Sequence, residues 1–179
     1  MAAGKTYATV ATYTVSGSST ASYTFSSIPS TYTDLVVVAS VRSLTAANTT
    51  GFLCQVNGAV GNVYDGFYLR GDGSTGSAAR YNKFINPTYA APIGNMVANS
   101  ATAGIFSNHI INWNNYSNTT TYKTFLARSN SLNNSASFYT ETVTNMYFAT
   151  SAISSLTFFP EAGNFVSGST ISIYGIAAA

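Results

Sequence analysis

Charge, sulfur and imidazole are nearly absent from this chain. Seven basic and five acidic residues make up 7% of its 179 residues, where an average domain carries about 25%. A net charge of +2 leaves no electrostatic footprint for DNA or RNA, so no nucleic-acid partner is expected. The single cysteine, Cys54, excludes an internal disulfide. The single histidine, His109, excludes a metal centre or proton relay built on several imidazoles. No apolar run reaches the roughly 18 residues that a membrane-spanning helix needs, and no membrane partner is expected. The opening Met1-Ala-Ala-Gly-Lys-Thr-Tyr7 lacks the apolar stretch of a secretory signal.

What fills the chain is hydroxyl, amide and aromatic. It holds 24 Ser, 24 Thr and 17 Asn, with 13 Tyr, 11 Phe and 14 Gly. An apolar fraction of 46% argues against disorder. Val, Ile, Thr, Tyr and Phe at this level favour strands. The solvated faces then carry short polar groups in place of long, entropy-rich ions. Such a surface suits close packing against copies of itself or another protein.

Gly, Pro, Asn and Ser punctuate the chain, with period-2 patterns between them. Strands are expected over residues 6–15, 21–28, 33–41, 52–56, 64–70, 79–85, 105–113, 121–129, 137–148, 153–159 and 169–176. Residues 35–39, Leu-Val-Val-Val-Ala, are apolar on both faces and predict a central strand. Asn57-Gly58 is a turn signal, and 71–77 reads as a loop. Residues 88–102 are poorly patterned, and 90–97 reads as a helical turn or a long connection. About nine to eleven strands without interleaved helices specify an all-β chain, most simply an antiparallel two-sheet sandwich. Residues 20–179 form one such domain. Residues 1–19 form an N-terminal strand or arm that pairs at an edge or reaches a neighbour. The last strand is expected inside a sheet.

Few residues offer chemistry. His109 sits in an alternating run with no nucleophile elbow nearby, and is read as structural or interfacial. Cys54 reads as a buried thiol. Asp65 and Asp72 are the acids whose convergence would permit glycoside hydrolysis or Ca²⁺ binding, but no D-x-[DN]-x-[DN]-G pattern is present. The Gly-rich loop at 71–76 lacks the Gly-Lys-Ser/Thr ending of a phosphate loop. No catalytic residue, metal or cofactor is assigned. Trp113 and Tyr116, with Asn112, Asn114 and Asn115, are the candidates for an interface or a glycan platform, with core packing as the alternative. Arg42, Arg70, Arg80 and Asp72 are candidates for intersubunit polar contacts.

Several segments in order resemble a known group. They are Tyr23-Thr-Phe-Ser-Ser-Ile-Pro29, Tyr32-Thr-Asp-Leu-Val-Val-Val38 with Arg42, Gln55-Val-Asn-Gly58 and Tyr68-Leu-Arg-Gly71. Asn115-Tyr-Ser-Asn118, Tyr122-Lys-Thr124, Ile153-Ser-Ser-Leu-Thr-Phe158 and Gly163-Asn-Phe-Val-Ser-Gly-Ser-Thr-Ile-Ser-Ile-Tyr-Gly175 complete the set. Together they resemble small virion proteins of tailed bacteriophages, cyanophages among them. The resemblance implies a jelly-roll-like sandwich on the virus particle, as a head decoration or cement protein or as a tail or fibre module. The leading expectation is a non-enzymatic capsid decoration protein, a homo-oligomer with a trimer favoured, contacting the major capsid protein or other virion proteins. The alternative is a tail or fibre module that binds a host glycan.

Overall fold

The computed structural model describes residues 6–81, 90–132 and 138–177. Among them run fourteen strands: β1 Tyr7–Thr14, β2 Ser19–Thr20, β3 Tyr23–Phe25, β4 Asp34–Val41, β5 Thr49–Val56, β6 Tyr64–Gly71 and β7 Gly76–Tyr81, then β8 Ala91–Val97, β9 Ser107–Asn114, β10 Lys123–Ser131, β11 Tyr139–Tyr147, β12 Leu156–Pro160, β13 Phe165–Val166 and β14 Thr170–Ile176. Eleven have five or more residues. The chain is all-β and antiparallel, as its alternation predicts.

Eight strands form one sheet in the order β1-β14-β4-β9-β10-β11-β6-β7. Four form a second, β3-β12-β5-β8, and β13 and β2 make a short ribbon. The inner rows of the two larger sheets interdigitate. Leu35, Val37, Ile111, Trp113, Phe125 and Val143 come from the first, and Phe25, Phe52, Cys54, Leu156, Phe158 and Ile93 from the second. An aromatic chain runs through this layer, with Phe52 5.8 Å from Phe158 and 6.0 Å from Phe165. Stacked and edge-on ring pairs of this kind add about 0.5–1.5 kcal/mol each beyond their buried area.

The final strand, β14, lies between β1 and β4 inside the large sheet, as expected. β1 pairs along β14 with a bulge between Thr9 and Ala11, so the described part of the N-terminal segment completes its own sheet. Residues 1–5 of that segment, and 82–85 of the strand expected over 79–85, lie outside the described residues.

Over 90–97 the chain forms the strand β8, Ala91–Val97, neither a helical turn nor an open connection. The period-2 signal fails there because Ile93 is the extra residue of a bulge in the β5–β8 ladder, so the alternation changes phase in mid-strand. β8 borders β5 and packs across β9, β10, β11 and β6. Gly94 marks that bulge, at φ +141°. A Cβ there would collide with Ser129 Oγ and stand 3.1 Å from Glu141 Oε2. Gly94→Ala is therefore expected to cost about 2 kcal/mol, from the backbone conformation and the overlap together. A urea midpoint unchanged from wild type would contradict that.

Candidate functional site: the open face of the large sheet

The eight-stranded sheet has one face in the core and one facing outward. Across the outward face, Ser172, Val38, Ile110, Arg128, Thr142 and Leu69 lie side by side, each the register partner of the next. The adjacent row holds Tyr174, Val36, Asn112, Leu126, Thr144 and Phe67 in the same way. Val38, Ile110 and Leu126 are about two-fifths exposed, Phe67 58% and Leu69 63%. At the β6–β7 end a shallow groove of about 400 Å³ opens between Phe67, Leu69, Ala78, Arg80, Thr142 and Thr144.

The two-sided apolar run at 35–39 finds its explanation here. β4 is central in its sheet, but Val38 faces outward and is not covered by the second sheet. Its outer face is apolar because the open face is apolar. β4 is the central strand that the run predicts, with Val36 buried and Val38 exposed on its outward side, but the run alone does not mark the exposed row. The signal that could have found it was the same alternation in β10, where Leu126 and Arg128 share the face opposite to Phe125 and Ala127.

The hairpin candidates divide. Trp113 is 1% exposed and Tyr116 fully buried, so neither ring can serve as an interface anchor or sugar platform. Trp113 points inward from β9 and packs on Phe125 at 4.6 Å between centroids. The Tyr116 hydroxyl donates to the Pro29 carbonyl. Asn115 adopts a left-handed turn conformation, φ +53°, and donates its backbone N–H to Asp34 Oδ1 at 2.7 Å. Its type is thus explained by the turn. Asn112 and Asn114 alternate with Trp113 and lie on the outward face. The only tryptophan being buried, its emission should be that of a water-shielded indole and should not respond to added saccharides. Efficient acrylamide quenching would argue against this placement.

The candidate intersubunit charges are engaged within the chain. Arg42 is 4% exposed at the corner of the sandwich. Its Nη1 donates to the carbonyls of Thr102 and Ile105 at 2.7 and 2.9 Å, and its Nη2 to those of Ala101 and Asn99 at 2.9 and 3.4 Å. Burial lowers its pKa from the ordinary value, yet a guanidinium keeps its charge. Arg70 lies 3.7 Å from Glu141 and over the rings of Tyr68 and Tyr139. Arg80 holds Asp65 through two hydrogen bonds, one of them Nε to Oδ1 at 2.9 Å. Asp72 turns back into its own loop. It accepts the backbone N–H groups of Thr75 and Ser74, which hold its carboxyl well below the usual range. Asp65 and Asp72 do not converge, since they sit at opposite ends of β6, about 23 Å apart at the ordinary rise of a strand.

Beneath the sheet runs a buried polar row, His109, Ser129 and Glu141, each in register with the next. Glu141 accepts the backbone N–H and the side-chain amide of Asn95 at 2.5 and 2.7 Å. The serine, not the imidazole, stands in the middle, which is not the order of a Ser-His-acid relay. Both His109 nitrogens lack a hydrogen-bond partner among the described residues, and burial lowers its pKa to about 3. Cys54 is buried, and desolvation pushes its thiol up, away from a reactive thiolate. Lys123, which the sequence did not mark, is buried with Nζ on the carbonyls of Thr121 and Thr150.

The described residues include no group of three or more His, Cys, Asp or Glu side chains able to hold a metal ion. Comparison with protein-family models, with curated proteins and with solved structures returns no match to this chain.

Proposed function

We propose that this chain is a non-enzymatic structural protein of a phage particle, a decoration or cement protein that stabilises the head through protein–protein contacts. The observation that carries the reading is the open face of the large sheet. It spans eight strands, or about 34 Å across, and about 23 Å along the strands. That is about 800 Å², the contribution of one partner to a standard protein–protein interface. Its exposed groups are aliphatic, aromatic, hydroxyl and amide, the make-up of a recognition core with little charge. The segments that resemble phage virion proteins supply the setting, a virus particle, and the capsid surface is the location we favour on it. The chain's repeated crossing between sheets, at β3–β4, β4–β5, β5–β6, β7–β8, β8–β9 and β11–β12, suits the finer jelly-roll reading. Self-association, with a trimer favoured, belongs to the same proposal. The glycan-binding alternative rested on the rings of Trp113 and Tyr116, which are in the core, so decoration is preferred.

Antibody labelling of intact particles, imaged by electron microscopy, tests the reading. Regular label over the head is expected, with lower resistance to heat or osmotic shock in particles that lack the protein. Label confined to the tail would overturn it.

A further inference from the structure

The charges among the described residues are few, and their partners can be followed one by one. Arg42 and Lys123 are held by carbonyls, Arg70 by Glu141 and Arg80 by Asp65. Asp34 accepts Asn115 N–H, Asp72 its own loop, and the Glu161 carboxyl lies against Gly51. Arg128 differs. It stands exposed in the middle of the open face, on the fifth of eight strands, and has no ion-pair or hydrogen-bond partner among the described residues. Ile110 and Thr142 are its register partners on either side, and Leu126 lies two residues away on the same face.

The geometry points to Arg128 as the polar anchor of a docking surface whose partner is a different protein, presenting a carboxylate within an otherwise apolar and hydroxylic patch. The inference rests on the structural-protein reading above and names the chemistry of its partner. An arginine beside Ile110, Leu126 and Thr142 loses water when that patch is covered, and a carboxylate meets its planar fork with two charge-assisted hydrogen bonds, stronger than the neutral carbonyls that hold Arg42. A second copy of this chain is a poor source. Each of its acids in the described residues already has an interaction of its own, so a copy would meet Arg128 without a free carboxylate. A nucleic acid or lipid surface would call for several cations, and this face carries one free cation among the described residues.

The test uses purified full-length protein added back to particles that lack it, with occupancy read by quantitative gel at increasing protein concentration. Arg128→Met is expected to weaken binding about 30-fold or more, as truncation of one member of a buried charge pair does. Arg128→Glu should weaken it further. Thr142→Glu, which supplies a carboxylate to Arg128 inside the chain, should also abolish docking while leaving the urea midpoint at or above wild type. Wild-type binding with all three variants bound equally well overturns the inference alone. Failure of the wild type to bind particles removes the structural reading and the inference with it. Sedimentation showing a wild-type oligomer that Arg128→Glu dissociates would identify a second copy as the occupant, and would overturn the choice of partner.

Discussion

Replacing Arg42 with methionine is expected to cost about 4 kcal/mol, the largest loss of any single change considered for this fold. Methionine fills a similar volume, so packing is nearly kept. What is lost is one cation that serves four carbonyls, those of Asn99, Ala101, Thr102 and Ile105. A hydrogen bond to a charged group contributes about 1.5–3 kcal/mol, and a buried acceptor left alone costs about 1–3. The four acceptors do not add in full, because the segment holding them can open toward water once released. That opening is the second expected result. Amide exchange should rise in residues 98–106, whose other ties include Asn99 N–H to Thr45 O and Ser100 N–H to Ala47 O. Arg42→Lys should recover only part of the loss, because an ammonium cannot span a fork of carbonyls on two sides. A loss under about 1 kcal/mol for Arg42→Met would mean the carbonyls find water without cost.

Acid should unfold this protein earlier than its few carboxylates require, and His109 is the reason. The imidazole is fully buried against Phe52, 4.8 Å between ring centroids, with Ala39 and Ser129 as its register partners. Burial lowers its pKa to about 3 in the folded chain, whereas an unfolded chain protonates it near about 6.5. Its contribution to stability is complete above about pH 6.5 and drains as pH falls toward about 3, because only the unfolded chain takes up the proton in that window. The slope is about 1.4 kcal/mol per pH unit, or about 3 kcal/mol between pH 6.5 and 4. Urea titrations across that range read it directly. His109→Leu should flatten the profile and leave stability at pH 7 equal or higher, since neither imidazole nitrogen has a hydrogen-bond partner to lose among the described residues. An unchanged slope in His109→Leu would assign the acid sensitivity to the carboxylates.

Much of the strand layout was legible because the signals are local. Alternation in 105–113 and 121–129 places β9 and β10 within two residues of their observed ends. The Asn57-Gly58 turn is there, with both residues at positive φ. Instead of closing a hairpin it carries the chain from β5 in one sheet toward β6 in the other, and Asn57 Oδ1 accepts the N–H groups of Ser154 and Ser155. Residues 90–97 failed as a strand signal because the bulge at Ile93 and Gly94 breaks the alternation of β8 into two short phases. The candidate site was less legible. Trp113, Tyr116 and Arg42 drew attention as rare and large, and all three are internal. The outward row of Val38, Ile110, Leu126 and Arg128 comes from three separate strands, and no single stretch of sequence displays it.

By itself the sequence determined the all-β class, the positions of most strands and turns, and the scarcity of charge. Those follow from period-2 patterning and turn chemistry, which act over a few residues. Only the tertiary structure decided which apolar face is covered, which aromatic rings fill the core, and which arginine is left facing outward. Those depend on the pairing of β4 with β9 and of β9 with β10, and on β8 closing over the inner side alone. A side chain's burial is set by what lies across from it, and in an antiparallel sandwich that neighbour comes from a distant part of the chain.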